Sequence, residues 1–176
     1  MDNRDADHHR HSIRLKGYDY AQPGAYFITI CTHNRERIFG EVVDVGVRLS
    51  EYGGVVRDEW LRTASVRREV MLDTFIIMPD HMHAIVMFRD EGFEASMPLP
   101  PSTGLHRRPR SLATLVSGFK GAVTSRINTV RGTPSQPVWQ RNYHERVIRD
   151  EAALAKMREY IVTNPVRWMH RRDPSH

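Results

Sequence analysis

Apolar residues alternate with polar ones along some stretches of this chain and recur every three to four residues along others, and the two periods separate strands from helices. Residues 25–32, Ala-Tyr-Phe-Ile-Thr-Ile-Cys-Thr, are β-branched and aromatic and predict a central strand. The polar residues 33–37 predict a turn. Between Ile38 and Leu49 short alternating runs, broken by Gly40 and Gly46, predict one or two short strands. Ser50 stands as a helix N-cap, followed by Val55, Val56, Trp60 and Leu61 at helical spacing, with Gly53-Gly54 weakening the first turn. Residues 70–78 and 81–88 predict two strands of a hairpin joined by Pro79-Asp80. Pro79, having no N–H for a ladder, suits a strand entry. Residues 89–109 hold four prolines with Gly92 and Gly104 and predict a mobile loop.

Ser111 then caps a helix whose buried stripe is Leu112, Leu115, Val116, Phe119 and Val123. After the loop 132–137, residues 138–148 are extended in character and predict another strand. Asp150 caps the last helix, Glu151 lies in its first turn, and Leu154, Met157 and Ile161 face inward. Pro165 is expected to end that helix, because the residue before a proline is pushed out of the helical region. The organisation expected is a flexible arm over 1–12, one domain over 13–169 and a basic tail over 170–176.

Composition narrows the classes. A chain of 176 residues suffices for one domain with a real core. Lys and Arg exceed Asp and Glu by 26 to 21, and Lys occurs only at Lys16, Lys120 and Lys156. Guanidinium groups grip phosphate with two donors and stack on bases, so the arginine excess leans toward a nucleic-acid partner. The single Cys31 excludes an intramolecular disulfide framework and a cysteine-rich zinc site. No apolar run approaches a membrane span, and residues 1–12 carry no hydrophobic signal region, so a cytoplasmic protein is expected.

The candidate chemistry starts at His81 and His83. Two residues apart in a strand, they point to one face while Met82 points to the other, close enough for both imidazoles to reach one divalent ion. A plain pair of half-exposed histidines on a sheet is the alternative. Tyr160 and Asn164, four apart on the last helix, share a face. A phenol and a hard amide oxygen beside two imidazoles suit Mg²⁺ or Mn²⁺. Arg14, Lys16 and Tyr18 mix cations with an aromatic in a manner that suits a single strand. Lys120, Arg126 and Arg131 on the second helix and Arg167 and Arg171 near the C-terminus are further candidate DNA contacts.

Taken together, residues 12–20, 27–32, Met78-Pro79-Asp80-His81-Met82-His83, Trp139-Gln140-Arg141-Asn142-Tyr143 and Tyr160-Ile161-Val162-Thr163-Asn164-Pro165 resemble the single-tyrosine HUH transposases, most closely the REP-associated tyrosine transposases. The likeness spans about Ser12 to Trp168. It implies an α+β, ferredoxin-like antiparallel sheet with helices packed on it. It implies a divalent metal on His81 and His83, Asn164 as third ligand, and Tyr160 as nucleophile. Tyr143 is a rival nucleophile ranked second. The activity implied is metal-dependent cleavage and rejoining of single-stranded DNA at hairpin-containing sites through a 5′-phosphotyrosine, by a monomer or a homodimer. A hairpin-binding protein that does not cut is the alternative.

Overall fold

The computed structural model describes residues 24–44, 46–89 and 111–172, without the side chains of 171 and 172. The expected arm, the candidate contacts Arg14, Lys16 and Tyr18, and nearly all of the expected loop lie outside those residues. So does the side chain of Arg171.

The β-branched run forms β1 (Gly24–Cys31), followed by a 3₁₀ turn at His33–Arg35 and the small hairpin β2 (Gly40–Val43) and β3 (Gly46–Leu49). Helix α1 (Glu51–Val66) leads to β4 (Val70–Met78) and β5 (His81–Phe88). Helix α2 (Leu112–Arg131), β6 (His144–Ile148), α3 (Glu151–Val162) and α4 (Asn164–Arg172) complete the chain. The main sheet runs β4-β5-β1-β6, antiparallel throughout. With α1 and α2 as crossovers this is the βαββαβ order of a ferredoxin-like fold, so the expected α+β class holds.

Strand alternation gives each face its own core. Tyr26, Ile28, Ile30, Met82, Ala84 and Val86 pack with α1 and α2 residues such as Val56, Trp60, Val116 and Phe119. On the other face Ile85 and Ile148 pack with Leu154 and Ile161 of α3, beside Phe27, Ile76 and Met157. Each predicted cap is present: the Ser50, Ser111 and Asp150 side chains accept from Gly53, Thr114 and Ala153 N–H.

Three expectations need correction. Leu61 is not in the core; it is half exposed at the solvent side of α1. The strand predicted over 138–148 forms only from His144. Trp139 makes one isolated bridge to Thr32, and the next carbonyls leave the ladder, where Lys120 Nζ donates to Gln140 O (2.6 Å) and Arg141 O (3.1 Å). The helix capped by Asp150 does end ahead of Pro165, at Val162, but it is not the last one: Asn164-Pro165 begin α4. A proline is tolerated in a first turn, where its missing N–H would be unpaired anyway. The basic tail expected from 170 is therefore helical as far as Arg172.

Candidate metal and nucleophile site

Register brings the site together. Thr29 of β1 and Ile76 of β4 lie opposite His83, and Cys31 and Met78 lie opposite His81. Both histidines face the α3 side of the sheet, with Met82 on the α1–α2 side as alternation requires. They are buried, at 6% exposure each, rather than half exposed.

The outer nitrogen of each ring is engaged. His81 Nδ1 donates to the Asp80 carboxylate, which has no proton to give. His83 Nδ1 lies 2.8 Å from Thr29 Oγ1. The inner nitrogens therefore face each other, with His81 Nε2 3.1 Å from His83 Nε2. Two ligands about 2.1 Å from one cation and at right angles to each other stand ~3.0 Å apart. Imidazoles held at Nδ1 by a carboxylate and a hydroxyl, with both Nε2 converging, are the arrangement that orients metal-ligating histidines. Among the described residues no cluster of three His, Cys, Asp or Glu could hold a metal. A third protein ligand would have to come from an amide such as Asn164, which is buried and lines the same cavity.

The loop that orients His81 is itself pinned. Thr32 N–H donates to Asp80 O (2.9 Å), the Thr32 hydroxyl reaches the Asp80 and Glu36 carbonyls, and Phe39 N–H donates to Pro79 O (3.0 Å). Burial alone would push the Asp80 carboxyl up. The His81 hydrogen bond and charge, with Arg35 and Arg37 nearby, outweigh it and hold Asp80 below its ordinary value.

The cavity, about 120 Å³, is lined by Thr29, Arg35, His81, His83, Tyr160, Asn164, Arg167 and Trp168. It has room for about four waters, the scale of a hydrated cation rather than of a nucleotide. Tyr160, half buried, sets its ring edge-on to His83 with centroids 5.3 Å apart, and to Phe27 at 5.9 Å. Phe27 also stacks on His83 at 5.3 Å, so the three rings form one mutual cluster. Tyr160 and Asn164 meet there although they belong to two helices, not to one face of a single helix. Tyr143 instead packs against the α1–α2 core, away from this cavity.

Cations and an aromatic form the rim. Trp168 tilts over His81 at 5.7 Å, and its buried Nε1 has no hydrogen-bond partner among the described residues. The Arg37 guanidinium lies over the Trp168 ring (5.6 Å) and that of Arg167 over the Tyr160 ring (5.3 Å). Arg35 donates to Cys31 Sγ and stands 3.8 Å from Asp80. Both Asn34 (φ 51°) and Arg35 (φ 58°) sit in the left-handed region, a conformation that costs energy and clusters at functional sites.

Sequence reasoning missed Thr29, Asp80 as a histidine partner, Arg35 and Arg37, and read Trp168 only as the aromatic of a basic tail. Asp80 was legible, being adjacent to His81; the others needed the strand register or the α4 turn. Lys120 is placed elsewhere. Its ammonium holds the 140–141 carbonyls, and burial lowers its pKa against the raising effect of Cys31. Arg126 pairs with the buried Glu59 (2.8 Å), and Arg131 with Asn128 and the Gln136 carbonyl.

No family model matches the chain. An uncharacterized protein of Haemophilus influenzae is 38% identical over 165 residues, covering 92% of this chain and 91% of that one. A solved REP-associated tyrosine transposase bound to a REP hairpin is similar in structure, with a TM-score of 0.55 at 15% identity, over 88% of this chain and 73% of that one. At that identity the likeness is one of fold.

Proposed function

We propose that this chain, which belongs to one family with the uncharacterized Haemophilus influenzae protein and has the fold of a REP-associated tyrosine transposase, cleaves and rejoins single-stranded DNA at hairpin-bearing sites with Tyr160 as nucleophile. One observation carries the reading. Within one chain the Tyr160 ring packs on His83, whose Nε2 converges with that of His81, in a cavity that Asn164 also lines.

His81, His83 and Asn164 would hold a divalent cation, Mg²⁺ or Mn²⁺. Bound there, it would supply positive charge to offset what develops on a phosphodiester under attack. The chain's own residues do the rest. Thr29 and Asp80 fix the imidazoles. Arg35 and Arg167 bring cationic charge to the cavity where the scissile phosphate would sit. Tyr160 Oη attacks phosphorus in line: the Tyr–O–P bond forms and the P–O3′ bond breaks. The phenol proton leaves to solvent and the departing 3′ oxygen gains one, giving a 5′-phosphotyrosine and a free 3′-OH. The same steps in reverse reseal a strand without an external energy source. Arg37 against Trp168 offers a cation and an aromatic face of the kind that single strands use.

The test is a denaturing gel. Labelled single strands carrying short hairpins are incubated with the protein and Mn²⁺ and examined for a covalent protein–DNA adduct. The adduct is expected in wild type and in Tyr143→Phe and not in Tyr160→Phe. Binding without an adduct under varied metals and sequences would favour a non-cutting hairpin binder. Cleavage that survives Tyr160→Phe would instead point to a metal-dependent hydrolase.

A further inference from the structure

Helix α3 lies on the sheet along the seam Leu154, Met157 and Ile161, and two side chains flank that seam. On one flank Tyr160 reaches His83 and Phe27. On the other, Arg158 reaches β4. At ~100° per residue the two stand on opposite sides of the seam, so a roll of the helix moves both at once.

Arg158 grips Asp73 with a fork: Nε donates to Oδ1 (3.0 Å) and Nη2 to Oδ2 (2.6 Å). Asp73 stands where β4 departs from regular pairing. Leu72 pairs with Val86 and Phe75 with Ala84, so one extra residue is accommodated between them as a bulge. Bulges re-aim side chains. The Thr74 N–H and hydroxyl both donate to Asp73 Oδ1, fixing the carboxylate in turn. Apolar burial along the seam is non-directional and decides that α3 lies on the sheet. A two-point guanidinium–carboxylate contact is directional and can decide its roll.

We propose that the Asp73–Arg158 pair is a roll latch for α3, a positioning contact that keeps the Tyr160 ring over His83. The catalytic meaning of the latch rests on the function proposed above; the geometric claim does not. A side chain about 6 Å from the helix axis moves ~2 Å for a 20° roll. A misplacement of about 1 Å can cost ~100-fold in rate. Arg158 is 41% exposed, and pairs with an exposed partner add little stability. A latch therefore predicts a large positional effect with a small thermal one.

The experiment reads His83 directly. In metal-free full-length protein the His83 ring protons feel the Tyr160 ring current, and Tyr160→Leu gives the value without it. Asp73→Asn and Arg158→Ala are each expected to move the His83 signals most of the way to that reference. The Tm should fall by a few degrees at most, and core amides of α1 and α2 should stay put. Adduct formation should slow ~100-fold at unchanged Mn²⁺ and hairpin affinity. His83 signals that stay at their wild-type position in both variants overturn the latch. So does adduct formation at the wild-type rate. Should wild type form no adduct while the His83 signals respond, the latch stands and the cleavage reading falls.

Discussion

At the residue scale the site is decided by what holds each imidazole from behind. Thr29 and Val are nearly the same shape, so Thr29→Val removes the hydroxyl at His83 Nδ1 without opening a cavity. His83 then loses the hydroxyl partner of its Nδ1, and loss of such outer partners costs ~10–100-fold in metal affinity. Mn²⁺ titration should show at least a tenfold weaker site with an unchanged circular dichroism spectrum; equal affinity would remove Thr29 from the site. Asp73 gives a second test, in pH. Led by the Arg158 hydrogen bond, its carboxyl is lowered from 3.8 to about 2. A depressed value means its contribution is complete above the unfolded pKa and is lost as pH falls through the folded one. The Tm difference between wild type and Asp73→Asn should stay constant from pH 5 to 8 and close between about pH 4 and 2. A difference that instead grows on acidification would contradict the assignment.

At the element scale the most informative position is Gly53. Its place near the start of α1 reads in sequence as a weak first turn, yet a Cβ there would lie 2.1 Å from the Phe39 carbonyl oxygen. Glycine is required because the helix start presses on the chain entering β2, where Ser50 also donates to Ile38 O (2.6 Å). Gly54, one residue on, would meet nothing within 4 Å. Urea unfolding should find Gly53→Ala destabilised by ~1–3 kcal/mol through overpacking. Gly54→Ala should be stabilised by ~0.5–1 kcal/mol, because alanine costs less entropy in a helix. Equal responses would mean that the close approach does not matter. The pair shows what a sequence conceals: periodicity and caps are local and gave the strands, the Ser50, Ser111 and Asp150 starts and the shared face of His81 and His83. Close approach, register and hydrogen bonding from afar are not local. Thr29 meets His83 only through pairing 54 positions away, and the Gln140 carbonyl, outside the strand, accepts from a lysine on another helix. At Pro165 the local rule was right about the break and silent about the helix that follows it.

At the scale of the whole molecule, two groups of the described cations lie on opposite faces of the sheet. On the α1–α2 side Arg126, Arg131 and Lys120 are occupied by Glu59, Asn128 and backbone carbonyls. Arg35, Arg37 and Arg167 gather instead around the cavity of Tyr160, each beside an aromatic ring or the His81–Asp80 pair. This charge therefore stands on the side of the sheet where Tyr160 and the histidine pair meet. Tyr160 lies against His83 of its own chain, so on the function proposed above the phenol and the imidazoles need no second copy to meet. The consequence can be tested by mixing two dead chains, Tyr160→Phe and His81→Ala/His83→Ala. If helices were exchanged between subunits, mixed dimers would contain one site with both an intact phenol and an intact histidine pair, and adduct would reappear. With phenol and imidazoles supplied in one chain, every site in the mixture lacks one of them. The mixture is expected to stay inactive, and the wild-type rate per chain to hold constant on dilution. Recovery of adduct on mixing would mean that α3 reaches a neighbour's histidines, and that the 5.3 Å contact of Tyr160 with its own His83 is a resting arrangement rather than the working one.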